Sequence, residues 1–300
     1  MDFVIGGLAA CGASIFSNPF DVVKTRMQLQ GELRAKGQHD IFYKNVFHAS
    51  WVIGKNEGIR GLQKGLLPAM AMHSIRNSIR LGSYQWFNKK GYLTNEKGKT
   101  IFYRSAIASA FCGAAGAFMG SPLFLVKTQL QSQAADNISV GTQHGHKGVF
   151  AAFKTIYSKE GIAGLWRGAN ATMLRAVAGS SAQLTSFAIS KDMLTEYDLF
   201  KRIPLLSSLI GSIISGVFQC LIMNPFDLVS VRLYNQGVDK SGKGILYKNI
   251  PDAFIKIAKT EGLTGFYKGV GANYMRLAPH GALCLVFWDI LRDLQAKYLE

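Results

Sequence analysis

Three stretches of the chain carry no Asp, Glu, Lys or Arg: residues 3–20, 105–126 and 203–226. Each reaches the roughly 18–20 apolar residues needed to cross a bilayer core of about 30 Å as a helix. The first run is not read as a signal peptide. Its flank is Met1-Asp2, without a basic region, and it ends in Asn18-Pro19-Phe20-Asp21 rather than a small-residue cleavage site. Three further stretches, 66–88, 169–190 and 270–290, are long enough to span but carry isolated Arg and polar residues. One polar face is the pattern of a helix that lines a water-filled cavity. Between the spans, 44–56, 147–159 and 248–260 mix apolar and basic residues at helical spacing and predict short amphipathic helices in the interface.

The pattern repeats. Pro19, Pro122 and Pro225 are each 103 residues apart, in PFDVVKTRMQ, PLFLVKTQLQ and PFDLVSVRLY. A second block follows each: EGIRGLQKG at 57–65, EGIAGLWRG at 160–168 and EGLTGFYKG at 261–269. Two blocks in one order at one spacing define three units, 1–92, 100–194 and 201–298. The prediction is an all-α membrane protein of six transmembrane helices in three pseudo-symmetric repeats, with both termini on one side. Small residues four apart (Gly6, Ala10 and Ser14; Ser109, Gly113 and Ala117; Ser212, Gly216 and Cys220) suit close helix packing.

Composition narrows the function. The chain is 48% hydrophobic and 17% charged, yet 34 basic residues face 18 acidic ones, for a net charge of +16. Such apolar content excludes intrinsic disorder, and four cysteines in 300 residues are too few for a disulfide scaffold. A basic soluble protein or a membrane protein with basic loops remains. The loops decide: 24–65, 127–168 and 230–269 hold 20 of the 34 basic residues, on one side of the membrane. The spans leave no soluble basic face for nucleic acid. No nucleophile–base set, P-loop or metal-ligand spacing occurs, which argues against an enzyme, an ATP-driven pump, a cofactor or a metal site.

Pro-x-acid-x-x-base, an amphipathic helix, then acid-Gly and aromatic-base-Gly, three times over, resembles the mitochondrial carrier family (solute carrier family 25). The resemblance implies a pseudo-threefold bundle in the mitochondrial inner membrane, with short amphipathic helices on the matrix side and both termini in the intermembrane space. It implies exchange of a small anionic metabolite by alternating access, by a monomer in contact with anionic lipid such as cardiolipin. Arg80-Leu81-Gly82 and Gly179–Leu184 are similar to the family's oxaloacetate carrier branch. Two other members of the fold's repertoire stay open: an uncoupling-type leak, and a transport-silent protein that acts through partners.

The resemblance also assigns residues. Pro19, Pro122 and Pro225 would kink the odd helices near their matrix ends. In the matrix gate, the acid of one repeat pairs with the base of the next, so Asp21 pairs with Lys127 and Asp227 with Lys24. The third pair would be Phe124 with Ser230, and neither is charged. A buried charge without its partner costs several kcal/mol, so the joint loss supports the pairing scheme. Gln28 and Gln131 match the glutamines beneath the pairs, and Tyr234 departs from them. Arg26 and Arg232 read as charges on a solvated face. The cytoplasmic gate pairs Gln85 with Lys191, Ala188 with Arg292 and Asp289 with Asn88, with no full ion pair. The empty carrier is therefore expected to open toward the cytosol.

Arginine within a span is costly and reads as functional. Arg80 lies near mid-depth by rise per residue, with Arg76 one turn before it on the same face. Arg175 and Arg276 each lie seven residues past the glycine that opens their helix. Guanidinium forks bind carboxylate or phosphate in a bidentate way, so this set implies an anion of more than one charge. Arg80, Arg175 and Arg276 match the family's substrate contact positions. Arg175 followed by the small Ala176 is nearest the keto-acid carriers. Ser180, Ser181 and Gln183 are candidate hydrogen-bond donors to the anion, with helix packing as the alternative for both serines. His73 and Met72 read as packing residues, and His144 and His146 have no assigned role.

Overall fold

The computed structural model describes residues 2–34, 41–93, 102–195, 204–239 and 242–299. Among these, helices account for nearly all regular structure. Repeat one supplies α1 (Asp2–Leu29), α2 (Val46–Leu62) and α3 (Leu66–Lys89). Repeat two supplies α4 (Phe102–Met119), α5 (Ser121–Ser132), α6 (Val149–Leu165) and α7 (Ala169–Thr195). Repeat three supplies α8 (Pro204–Asn235), α9 (Ile250–Glu261) and α10 (Val270–Leu299). The spans pack in a closed ring: α1 on α3, α3 on α4, α4 on α7, α7 on α8, α8 on α10, and α10 back on α1.

By length and apolarity alone, Ile210–Asn235 of α8 qualifies as a span, and α4 with α5 qualifies as a broken one. Among the described residues, α1 and the even-numbered spans α3, α7 and α10 do not pass that test. Small residues do pack at the helix crossings. A side chain at Gly12 would meet the Phe287 ring at 3.1 Å, and Gly113 faces Ser180 Oγ.

The three prolines behave differently. α1 and α8 run through Pro19 and Pro225, whereas the third span breaks at Gly120, two residues before Pro122, with a bend of 62°. The residue before each proline distinguishes them. Asn18 Nδ2 donates to the carbonyls of Leu62 and Lys64, and Asn224 Nδ2 donates to Phe266 O. Ser121 stands at the equivalent position and instead bonds across to the Tyr234 hydroxyl. A further proline, Pro279, lies inside α10.

Glycine kinks α2 and α6 and ends α9. Gly58, Gly161 and Gly262, the residues after Glu57, Glu160 and Glu261, have φ of 68°, 67° and 71°. Only glycine takes this left-handed conformation without a steric penalty. Asn45 and Asn249 cap the opposite ends of α2 and α9, each accepting a backbone N–H at 2.9 Å. Gly65, Gly168 and Gly269 then let the neighbouring repeat approach. A Cβ there would lie 2.9 Å from Gln131, 3.2 Å from Tyr234 and 3.3 Å from Gln28.

α1, α5 and α8 touch one another at the end of the bundle that carries α2, α6 and α9. α4, the other half of the third span, packs on α3 and α7. The interior is thus closed at the amphipathic-helix end.

Candidate functional site

The closed end is held by buried ion pairs. Lys127 Nζ lies 2.5 Å from Asp21 Oδ2, and Lys24 Nζ lies 2.9 Å from Asp227 Oδ2. All four side chains are at most 3% exposed. Gln28 braces one pair by donating to Asp227 Oδ2 at 2.9 Å. Gln131 lies beside the other, accepting from Thr25 and donating to Asn18.

The span arginines sit directly on this ring. Arg175 Nη1 lies 3.3 Å from Asp227 Oδ1, and Arg276 Nε lies 3.5 Å from Asp21 Oδ1. Each carboxylate therefore holds a lysine with one oxygen and an arginine, more loosely, with the other. Arg76 is half-buried and within the field of Arg175, Arg80 and Arg276. At the floor, five cations (Lys24, Lys127, Arg76, Arg175 and Arg276) face two carboxylates. Arg175 Nε, Arg276 Nε, Asp21 Oδ1 and His73 Nδ1 are buried there without a hydrogen-bond partner.

Arg80 and Gln183 are exposed. Arg80 lies farther from the floor, within electrostatic reach of Cys284 on α10. Ser180 packs on Gly113 of α4. Ser181 does not join the site: seven residues after the exposed Leu174, it shares the outward face of α7, away from Arg175. Gln85, Asn88, Lys191 and Asp289 lie on α3, α7 and α10, but their side chains are outside the described residues. Arg292 is exposed.

Two arginines are not where sequence reasoning put them. Arg26 and Arg232 are fully buried rather than solvated. Arg26 donates to both oxygens of Glu57 at 2.6 and 2.9 Å, and Arg232 does the same to Glu261 at 2.5 and 2.9 Å. Lys64 and Lys268 add a bond to each carboxylate. Burial pushes the Glu57 carboxyl up, but the bonds from Arg26 and Lys64 outweigh it and hold the group at about 2. The middle repeat lacks this lock. Gln129 stands where the arginine would be, and Glu160 meets Arg167 alone, at 3.3 Å. Burial there pushes the Glu160 carboxyl above its ordinary range. His146 bonds Gln129 Oε1, and His144 bonds Asn235 O, so both histidines tie the loop to α5 and α8. Burial holds the His144 imidazole down at about 4, where a neutral ring suits that role.

His280 was missed by sequence reasoning. Its ring lies 4.7 Å from that of His73, with Ser17 Oγ at 3.0 Å from its Nδ1. No span-level motif marks it, since it is a single histidine after Pro279 within the continuous α10.

The sequence profile described as "Mitochondrial carrier protein" matches three times, over residues 1–94, 98–198 and 201–299. Solute carrier family 25 member 35 of Mus musculus is 49% identical over the full length of both chains. The mitochondrial oxaloacetate transport protein of Saccharomyces cerevisiae is 43% identical, over 96% of this chain and 87% of the relative. The mitochondrial citrate transporter E of Aspergillus niger is 38% identical, over 99% and 96%. Three profile matches on three structural repeats, with such relatives, show that the chain belongs to the mitochondrial carrier family, whose members are transporters and not enzymes.

Proposed function

We propose that the chain exchanges small dianionic carboxylates, oxaloacetate-like, across the mitochondrial inner membrane by alternating access. The amphipathic-helix end is the matrix side, and both termini face the intermembrane space. The carrying observation is the floor: Arg175 and Arg276 contact the same carboxylates that close the matrix end. Each has a buried Nε without an acceptor. An entering dianion offers these forks better-aligned acceptors than Asp227 and Asp21, at 3.3 and 3.5 Å, provide. Binding then removes one cation from each gate carboxylate and loosens the closed end. Arg76, Arg80, Gln183 and Ser180 complete the path, while the exposed basic matrix loops meet anionic lipid such as cardiolipin. Names of the oxaloacetate and citrate transporters among the relatives support a carboxylate with two or more charges.

The test is uptake by reconstituted proteoliposomes across di- and tricarboxylates, keto acids, sulfate, phosphate and nucleotides. The reading expects uptake of dianionic carboxylates and its abolition by Arg175→Ala. Proton conductance blocked by purine nucleotide, with no anion uptake, would replace it with an uncoupling-type leak. Neither activity would leave a transport-silent, partner-binding protein.

A further inference from the structure

The ring of gate acids has one gap, and the structure shows what fills it. Asp21, Phe124 and Asp227 are equivalent at intervals of 103 residues. Around each acid stand a lysine of one neighbouring span and an arginine of another: Lys127 and Arg276 at Asp21, Lys24 and Arg175 at Asp227. The same rotation puts Ser230 and Met72 around Phe124. All three members of this sector are uncharged. Ser230 turns away and bonds Phe226 O of its own helix. Met72 packs against the bend at Gly120.

Phe124 is nevertheless not a spectator. Its ring is 3% exposed and lies beneath two cations from the adjoining sectors. The Arg175 guanidinium carbon is 5.1 Å from the ring centroid, and Lys127 Nζ is 5.2 Å from it. Both distances are within the range where a cation is drawn to the negative face of an aromatic ring. The attraction is strongest where water is excluded, as here. The ring itself is fixed from behind by Tyr234, at 5.1 Å between centroids. The Tyr234 hydroxyl is in turn held by Ser121 at 2.7 Å and Thr172 at 2.5 Å. Tyr234 stands where the other two repeats have Gln131 and Gln28. Phe124 and Tyr234, both departures from the repeat, therefore form one aromatic platform.

We propose that Phe124 is a positioning residue for substrate binding: its ring holds Arg175 and Lys127 in place without offering them a carboxylate. This rests on the reading of Arg175 as a substrate contact. The physical advantage is that a ring face does not compete as an anion does. A carboxylate at this position would be a second permanent partner for Arg175, and an entering dianion would have to displace it. With Phe124, the anion competes only against Asp227. The ring also supplies Lys127 with an attraction that survives when Asp21 loosens.

Two measurements decide this, both on the full-length protein. The first is KM and Vmax for labelled oxaloacetate uptake in proteoliposomes. Phe124→Tyr keeps the ring face and should stay within about twofold of wild type. Phe124→Leu and Phe124→Met keep apolar volume and lose the face. They should raise KM roughly tenfold, the size of a desolvated cation–ring contact, with Vmax within about twofold. Phe124→Asp should raise KM further. The proposal is overturned if the Leu and Met variants keep the wild-type KM, if they lose Vmax alone, or if Tyr is impaired as they are. The second is a thermal-unfolding cycle of Phe124→Leu with Arg175→Met on the empty carrier in detergent. Phe124→Leu should lower Tm more beside Arg175 than beside Met, and equal losses overturn the contact. Should wild type take up no oxaloacetate, the transport reading falls while this cycle still decides whether the ring holds the guanidinium.

Discussion

Lys127 and Asp21 show how little freedom a single residue of a buried ion pair has. At 2.5 Å and 3% exposure each, the two charges are supported by each other and by Arg276. Removing one partner of a buried pair costs about 3–5 kcal/mol, because the other charge is left behind. Lys127→Ala and Asp21→Asn should each lower the thermal midpoint of the purified carrier by several degrees. The exchange Asp21→Lys with Lys127→Asp should recover part of that loss. The recovery is partial because Arg276 then faces a lysine. Equal stability of the single variants and wild type would mean that the pair does not hold the closed end. These pairs were expected from the family resemblance, and the two uncharged residues on one predicted bridge, Phe124 and Ser230, supported the scheme. Arg26 and Arg232 were not legible. Their partners Glu57 and Glu261 are 31 and 29 residues away, and a basic residue at a helix end looks solvated until that acid is found beneath it.

At the scale of the element, the three amphipathic helices share one device and differ in one residue. Each carries a glutamate followed by a glycine of positive φ, and in repeats one and three the glutamate turns back to lock the odd helix. Repeats one and three close the lock with a bidentate arginine, and repeat two has Gln129. Gln129→Arg should complete the third lock and raise the thermal midpoint. No gain would show that the loop histidines already occupy the space an arginine needs. The same asymmetry predicts opposite pH responses. Glu57 is held below its ordinary value, so its contribution to stability is present above about 4.5 and is lost as pH falls toward about 2. Glu160 is pushed up, so its ionisation weakens the fold as pH rises above the ordinary carboxylate range. Glu57→Gln should therefore cost most at neutral pH and least in acid, whereas Glu160→Gln should be neutral or stabilising at neutral pH. Thermal unfolding across pH 3–7 in detergent checks both. Sequence periodicity revealed the spans and amphipathic helices. It did not reveal that, of the three repeat prolines, only the middle one coincides with a break, at Gly120.

On the scale of the whole molecule, the repeats form a ring in which both acidic sectors borrow cations from the other repeats. Asp21 takes its lysine from α5 and its arginine from α10, and Asp227 takes its lysine from α1 and its arginine from α7. The proposed floor of the substrate path and the ion pairs of the closed end thus share the same two carboxylates. Under the proposed function, anion binding and opening are coupled, because the forks proposed to bind substrate are drawn from the carboxylates that hold the closed end. The +16 net charge divides accordingly into loop cations, the lysines of the two buried pairs and the arginines of the spans. The most direct measurement of the coupling is counter-exchange: liposomes preloaded with labelled oxaloacetate are challenged with unlabelled dianion outside. The account predicts efflux that external oxaloacetate accelerates in wild type and that falls at least about 100-fold in folded Arg175→Ala protein, as loss of a charge-paired fork in a water-poor site implies. Efflux that no external dianion stimulates, or that persists unchanged in Arg175→Ala, would contradict it.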